Sequence, residues 1–580
     1  MLYRAGDAIT EGIVYGAIVF SPWAFGTTQP WSIWTMTIAG LVLGALLILK
    51  LGIRNLKGYR PPRWGEAGGG SETAEIKAGQ RVPPVSGQAA TGEATELMTT
   101  GRRNTERAAV RALAILTVLI LTYCFISGLN ARSTYHRDQL SFESHSYVPW
   151  LPSSFDSHRT WFLFWTYLGL ACSFWAVRDW LPGKSAGEER AGRIKPGAGA
   201  GGVESAPPLP TRLRRVLWVL SINGGLLALE GIVQRWDGSG RLLFLIKPGV
   251  NPGALTQFGP YAYRANAAQY FNLLWPVCLG FWWMLNRNVG APARSTARRR
   301  RMQRHHWLLV STAFMAACPI ISTSRGGALI TVVMLVLAGL LMLWSHFFWK
   351  NQRASSRERG AERLRTTDQG PGTTAQTSEV RGQRSKARGQ RPLLPSPKLQ
   401  TPASIFHLRS SMSHLALVAV CFAAALGLGY GLGWKALKPR MAEIREGFEG
   451  REEIYTTARP MAADYPLFGT GPGTFESVFQ LYRASADTYW PAQLHNDWLE
   501  TRITFGWVGS ALIALSLLTV ILRWFAPGGI RGGRRFVLLL WLALAGCLVH
   551  ARYDFPFQIH SIDFLFLIHC AVLSILSRRE

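Results

Sequence analysis

Acidic residues are scarce in this sequence, 34 Asp and Glu against 63 Lys and Arg over 580 residues, and charged residues of both signs make up only 17%. A chain so short of charge has too little polar surface to solvate several globular domains, which argues against a large soluble protein. Cysteine is sparse as well. All seven (Cys124, Cys172, Cys278, Cys318, Cys421, Cys547, Cys570) lie within or at the ends of apolar runs, as small core residues do, and not in the pattern of a disulfide framework or metal cluster. There is no Cys-x-x-Cys or His-Glu-x-x-His spacing for zinc and no Asp-x-Asp pair to hold a divalent ion, so no metal site and no cofactor are expected. No fixed-period repeat is present. The opening stretch MLYRAGDAITEG lacks the charged and apolar regions and small-residue cleavage site of a removable signal, so entry into the membrane is expected through the first span itself.

What the chain does have is apolar residues, 48% of the total, with 23 Trp. They fall into separate runs of about twenty, the length that crosses a hydrocarbon core about 30 Å thick at about 1.5 Å per helical residue. The runs are Gly12–Phe25 (interrupted by Pro22), Ile33–Leu51, Ala108–Leu129, Trp161–Val177, Val216–Val233, Asn266–Leu285, Trp307–Thr323, Ala328–Trp349, Leu415–Trp434, Phe505–Leu522, Phe536–His550 and Ile559–Leu576. The expected fold is all-α, a polytopic integral membrane protein of about 12 transmembrane helices with one large ordered outward loop.

The formal charge of +29 would suggest nucleic acid in a soluble protein, but its distribution points elsewhere. Basic residues gather in alternate connections, including 54–107, 287–304 with the run Arg298–Arg301, 350–413 and Arg531–Arg535. That is the positive-inside pattern of topology and anionic-lipid contact, with no nucleic-acid partner implied. It makes those connections and both termini cytoplasmic. Residues 1–54 then hold the first two spans, 55–107 a flexible cytoplasmic insert, 108–350 spans three to eight and 351–413 a second flexible insert. Residues 414–580 hold spans nine to twelve with the outward loop at about 435–500. The inserts, and a third polar stretch at 183–211, are rich in Gly, Pro, Ser and Arg, and bury too little apolar surface to offset the entropy of ordering.

The outward connections are where chemistry is expected. The loop 130–158 carries aromatics and His136, His145 and His158; 236–264 ends in an aromatic stretch; 435–500 combines helical periodicity with the turn PLFGTGPGTF, which suits a small ordered cap. Its glycines fit a tight turn or a backbone nest for phosphate, without the Lys-Ser/Thr of a P-loop. Three ionisable residues share this side: Arg264 before the span Asn266–Leu285, Arg325 in STSRGG between two spans, and His495 in LHNDWLE before Phe505. An interfacial Arg often only reaches out to headgroups, and a lone His is often structural. Asp554, Asp563 and His560 lie close in sequence and read as a span boundary, not a metal site.

Local wording adds to this. The stretches YRANAAQYFNLLWP, STSRGGALI, REEIYTTARPMAADYPLFGTGPGTF, LHNDWLETRITFGWVGSALIALSL and YDFPFQIHSIDFLFLIHCAVL resemble the O-antigen ligase and polymerase superfamily of bacterial membrane glycan transferases. The related region is about 216–580, most specific from Arg451 through Trp507. The resemblance implies an enzyme of the inner membrane that moves a glycan from a polyprenyl-pyrophosphate donor to a lipid, glycan or protein acceptor on the outer face, and the missing metal motifs make a metal-independent transfer the expectation. By motif position it implies that Arg264 and Arg325 bind the pyrophosphate, that His495 is the catalytic base, and that Asn266, Asn496 and Glu500 support them. A planar guanidinium grips phosphate oxygens in pairs, and imidazole, with an unperturbed pKa of about 6.5, is suited to take a hydroxyl proton near neutral pH. Ligase and polymerase share this pattern. A transporter or flippase, the alternative of another class, would place its ionisable residues at the membrane midplane.

Overall fold

The computed structural model describes residues 2–64, 89–185, 188, 209–249, 253–287, 304–344, 403–485, 490–522 and 533–576, with side chains at 89–106, 254 and 403–411 not described. The expected inserts therefore fall mostly outside the described residues. The first is shorter than expected, because α2 (Pro30–Lys57) extends to Lys57 and α3 (Ala89–Leu129) begins at Ala89. The stretch ATGEATELM ahead of the apolar run is made largely of good helix formers, and this propensity extends α3 back into the polar segment.

The remaining helices are α1 (Leu2–Trp23), α4 (Ser157–Trp180), α5 (Thr211–Asp237), α6 (Arg264–Arg287), α7 (Trp307–Ile321), α8 (Arg325–Trp344), α9 (Ala403–Gly429), α10 (Lys435–Ala442), α11 (Ile444–Asp464), α12 (Phe475–Phe479), α13 (Asp497–Leu522), α14 (Arg534–His550) and α15 (His560–Leu576). Each apolar run lies largely on a helix over its described residues. Among the described residues, seven helices are long and apolar enough to cross a membrane: α2, Arg107–Leu129, α4, α5, α8, Met412–Ala442 and Asp497–Ile521. The chain is thus a helical membrane protein, with seven candidate spans among the described residues beside the expected count of about twelve. The other five runs fall short for physical reasons. The helices α7, α14 and α15 have only 15, 17 and 17 residues. α1 carries Asp7 and Glu11, and α6 carries Asn266, Gln269 and Asn272. The one pair of strands among the described residues is an antiparallel hairpin in the 130–158 loop, β1 (Ser133–His136) paired with β2 (Ser141–Ser144).

The chain divides into two compact units, Met1–Leu335 with Cys421–Glu580, and Val336–Val420. The second holds the end of α8 and most of α9, with residues 345–402 outside the described set. In the first, helices approach through small residues, as expected where lipid gives no hydrophobic drive and close backbone contact must supply the attraction. Gly40 and Gly44 of α2, four apart on one face, meet α4: a Cβ on Gly40 would come within 2.2 Å of the Gly169 carbonyl, and one on Gly44 within 2.5 Å of Cys172 Sγ.

The 435–500 segment forms a cap with its own core. Tyr455, Ala458 and Met461 of α11 pack with Phe475, Val478 and Phe479, and with Leu494 and Ile503. Full burial of such side chains contributes about 1.5–3 kcal/mol each. The PLFGTGPGTF turn ties this cap to α13, which is broken at Gly506 (φ 60°, ψ −166°). Across the break the amides of Thr470 and Gly471 donate to the carbonyls of Ile503 and Thr504 (both 2.9 Å), while those of Trp507 and Val508 donate to Pro466 and Leu467 (2.9 and 3.1 Å). The turn's amides at Thr470 and Gly471 are thus used internally, as in the tight-turn reading.

Candidate active site

His495 sits at the foot of the cap and is pinned on both sides. Leu494 is fully buried in the cap core. Asn496 accepts from the Leu499 amide (3.2 Å), and Glu500, in the first turn of α13, accepts from the Leu494 amide (2.8 Å). Together they close the helix N-terminus in the manner of a capping box. Between these anchors His495 takes φ 58°, and the Tyr455 hydroxyl donates to its carbonyl at 2.8 Å. A non-glycine residue in this left-handed region costs about 1–2 kcal/mol, so the imidazole's direction is fixed by its neighbours and not by local preference.

The ring points at Asp554, with Nδ1 3.1 Å from Oδ1; the His495 side chain is 21% exposed and that of Asp554 4%. Burial alone would raise the Asp554 carboxyl, but the hydrogen bond and charge of His495, with the nearby Arg451 guanidinium, hold it below the usual carboxylate range. Phe555 presents to the imidazole at 4.8 Å between centroids and Tyr263 at 6.1 Å, and these two rings stack at 5.6 Å and 9°. With Nδ1–H donated to the carboxylate, Nε2 is the ring atom left to accept a proton.

Tyr263 joins this dyad to a group of arginines. Its hydroxyl is pushed above the ordinary tyrosine range by burial and by Asp554, against the opposing charges of Arg451, Arg264 and Arg440. Arg264, the first residue of α6, donates to the Leu255 carbonyl at 2.7 Å. Burial lowers its guanidinium to about 10, and the like charges of Arg440, Arg235 and Arg325 act in the same direction, yet it stays protonated at neutral pH. Arg325 donates to the carbonyls of Glu443 (2.6 Å) and Arg440 (3.4 Å). Arg440 reaches back to the Thr323 carbonyl, and Arg451 donates to that of Tyr553. Among the described residues, none of Arg264, Arg325, Arg440 and Arg451 forms an ion pair with a carboxylate. Positive charge gathered on backbone carbonyls, without a carboxylate counterion, is the electrostatic form of an anion site.

Residues 403–514 match the family model described as O-antigen ligase. Over this stretch the chain is similar to that family. This is the superfamily of ligase- and polymerase-type glycan transferases, and the matched stretch is narrower than the 216–580 suggested by motif wording. No curated protein matches the chain. The matched stretch contains the cap, Arg440, Arg451 and His495, whereas Tyr263, Arg264, Arg325 and Asp554 lie outside it.

The structure thus brings together Arg264, Arg325 and, through Tyr263, His495. Asn496 and Glu500 act on the backbone around His495, and the group that orients its ring is Asp554, not Asn496. Asn266 is buried in the first turn of α6, with Oδ1 lacking a partner among the described residues. His136 and His145 are elsewhere, against Glu143 (3.0 Å) and Thr134 (2.9 Å) in the hairpin. Sequence reasoning missed Asp554, Arg440 and Arg451 as members of this site. The available signal for Asp554 was a carboxylate flanked by aromatics in YDFPF, in an acid-poor chain; the cap arginines had none, Arg440 lying on α10 and Arg451 on α11 within a stretch of mixed charge. Among the described residues no group of three or more His, Cys, Asp or Glu is arranged to hold a metal ion.

Proposed function

We propose that the protein transfers a glycan from a polyprenyl-pyrophosphate donor to an acceptor hydroxyl at the outer face of the bacterial inner membrane, without a metal, with both termini cytoplasmic. The observation that carries this reading is the His495–Asp554 pair beside arginines that lack carboxylate partners. The acceptor oxygen bonds to the anomeric carbon of the donor sugar as the bond from that carbon to the pyrophosphate oxygen breaks. The hydroxyl proton passes to Nε2 of His495, and the imidazolium formed is stabilised by Asp554 through Nδ1–H. Arg264 and Arg325, with Arg440 beside them, stabilise the negative charge left on the pyrophosphate. A ligase and a polymerase would use this chemistry alike and differ in the acceptor.

The test is to incubate the purified protein with a polyprenyl-pyrophosphate glycan and offer lipid, glycan and protein acceptors separately in chelator. Sugar appearing on a lipid or protein identifies a ligase, and elongation of a lipid-linked glycan identifies a polymerase. Transfer to no acceptor, or transfer that needs an added divalent ion, contradicts the proposal.

A further inference from the structure

A cavity lies at the other end of the bundle from His495. Helices α4 and α5 run between the two ends: α4 starts at Asp156, whose side chain caps it beside the hairpin loop, and finishes at Trp180 next to the cavity. Its 24 residues span about 36 Å at about 1.5 Å each. The cavity, of about 280 Å³, is lined by six basic side chains and three carboxylates.

Its walls are preformed. Arg54 grips Asp179 through both nitrogens, Nη1 to Oδ1 and Nη2 to Oδ2, each at 2.7 Å. Arg212 donates to Asp7 (2.8 Å) and to the Trp180 carbonyl (2.9 Å). Two chain segments are zipped across the mouth by Lys184 N–H to the Pro62 carbonyl (3.0 Å) and Trp64 N–H to the Pro182 carbonyl (2.8 Å). This holds Arg63 near Asp179 at 3.2 Å, where it is 30% exposed. Arg215, 52% exposed, pairs with Glu11 at 2.9 Å across the same opening.

A network serving only to bind helices together would be expected to neutralise itself. Among the described residues two of the three carboxylates are each shared by two cations: Asp179 serves both Arg54 and Arg63, and Asp7 serves both Arg212 and the buried Lys50 (3.2 Å), while Glu11 pairs with Arg215. The positive charge surrounds a void, and Arg63, on the segment zipped across the mouth, and Arg215, on α5, both reach solvent there. Guanidinium groups in a partly desolvated pocket recognise phosphate oxygens well.

We infer that this cavity binds a phosphate-bearing anion, held at the mouth by Arg63 and Arg215 against the fixed Arg54–Asp179 and Arg212–Asp7 walls. The phosphate comes either from an anionic lipid headgroup or from a soluble phosphate compound, and the site is independent of the transfer reaction proposed above. The test uses the full chain in detergent, carrying Arg264→Gln and Arg325→Gln so that the distant arginine group adds no second anion site. Native mass spectrometry follows binding of phosphatidylglycerol, phosphatidylcholine and inorganic pyrophosphate, with and without Arg63→Gln and Arg215→Gln.

Binding of phosphatidylglycerol over phosphatidylcholine, but not of pyrophosphate, assigns a headgroup; binding of pyrophosphate assigns a soluble compound. In either case the Gln pair at the mouth lowers affinity by about tenfold or more. Arg63→Lys with Arg215→Lys keeps the charges and the fold, and lowers affinity by a smaller factor because a point charge does not reproduce the fork. This pair decides the matter if the Gln pair does not fold. Preference for neither anion over phosphatidylcholine, or affinity unchanged in the mouth variants that fold, overturns the inference.

Discussion

Replacing Asp554 by Asn separates an oriented base from a merely nearby histidine. The substitution keeps the size of the side chain and an oxygen able to accept from the Phe555 amide, which the carboxylate accepts at 3.2 Å. It removes the charge that faces His495 Nδ1 at 3.1 Å. An amide that turns its NH2 toward Nδ1 also favours the tautomer with the proton on Nε2, the atom needed to accept. Loss of a hydrogen bond to a charged group is worth about 1.5–3 kcal/mol, and each 1.4 kcal/mol is about tenfold, so turnover is expected to fall by roughly 10- to 150-fold. Donor affinity should hardly change, because the arginines remain. The assay is single-turnover transfer from a polyprenyl-pyrophosphate glycan, with donor binding measured on the same preparation. The pH dependence has a definite sign. Asp554 has a carboxyl depressed on folding, so its contribution to stability is present above the unfolded carboxylate pKa and is lost only as pH falls through the still lower folded value. Loss of activity at mildly acid pH must therefore come from protonation of a base and not from Asp554. Wild-type turnover in Asp554→Asn would refute the positioning role.

Arg264→Ala and Arg325→Ala should each weaken use of the donor by about 10- to 100-fold, with Lys restoring only part, read as KM against kcat in correctly inserted protein; full activity in both Ala variants would make these residues headgroup anchors. Gly506→Ala should unfold the cap side of α13, because φ 60° with ψ −166° belongs to glycine and a Cβ would stand 2.3 Å from the Leu467 carbonyl. A loss of about 3 kcal/mol or more in thermal or denaturant stability is expected, against near-neutral behaviour if the break in α13 were incidental. Tags at 145, 250 and 470 should report the outer side and tags at 75, 295, 375 and 530 the cytoplasm; tags at 295 and 470 reporting the same side would break the proposed topology.

Much of the helical framework was legible because run length and apolarity are local properties. Over its described residues each run lies largely on a helix, and the aromatic, periodic segment 435–500 folds around its own core. The number of candidate spans was less legible, since Asn266, Gln269 and Asn272 interrupt α6 with polar side chains that only its burial among other helices accommodates. The candidate site was legible as separate residues but not as a connected one. His495 and Asp554 are 59 positions apart, and no periodicity links them. The filling of the α13 break by Pro466–Gly471 was hidden for the same reason: the glycines announce a turn, but what the turn's amides bind is a tertiary matter. Arg54, Asp179 and Arg212 each look like ordinary flanking charges in sequence, and only helix packing shows them enclosing a cavity.

The most direct test of the proposed reaction is His495→Ala, with donor binding and turnover measured on the same purified, correctly inserted protein across pH. General-base assistance is typically worth about 10²- to 10⁴-fold, so transfer should fall by that factor and the acid limb of the wild-type profile should disappear, while the donor still binds. Near-normal turnover in His495→Ala, or loss of donor binding in step with activity, would contradict the assignment of this histidine as the base.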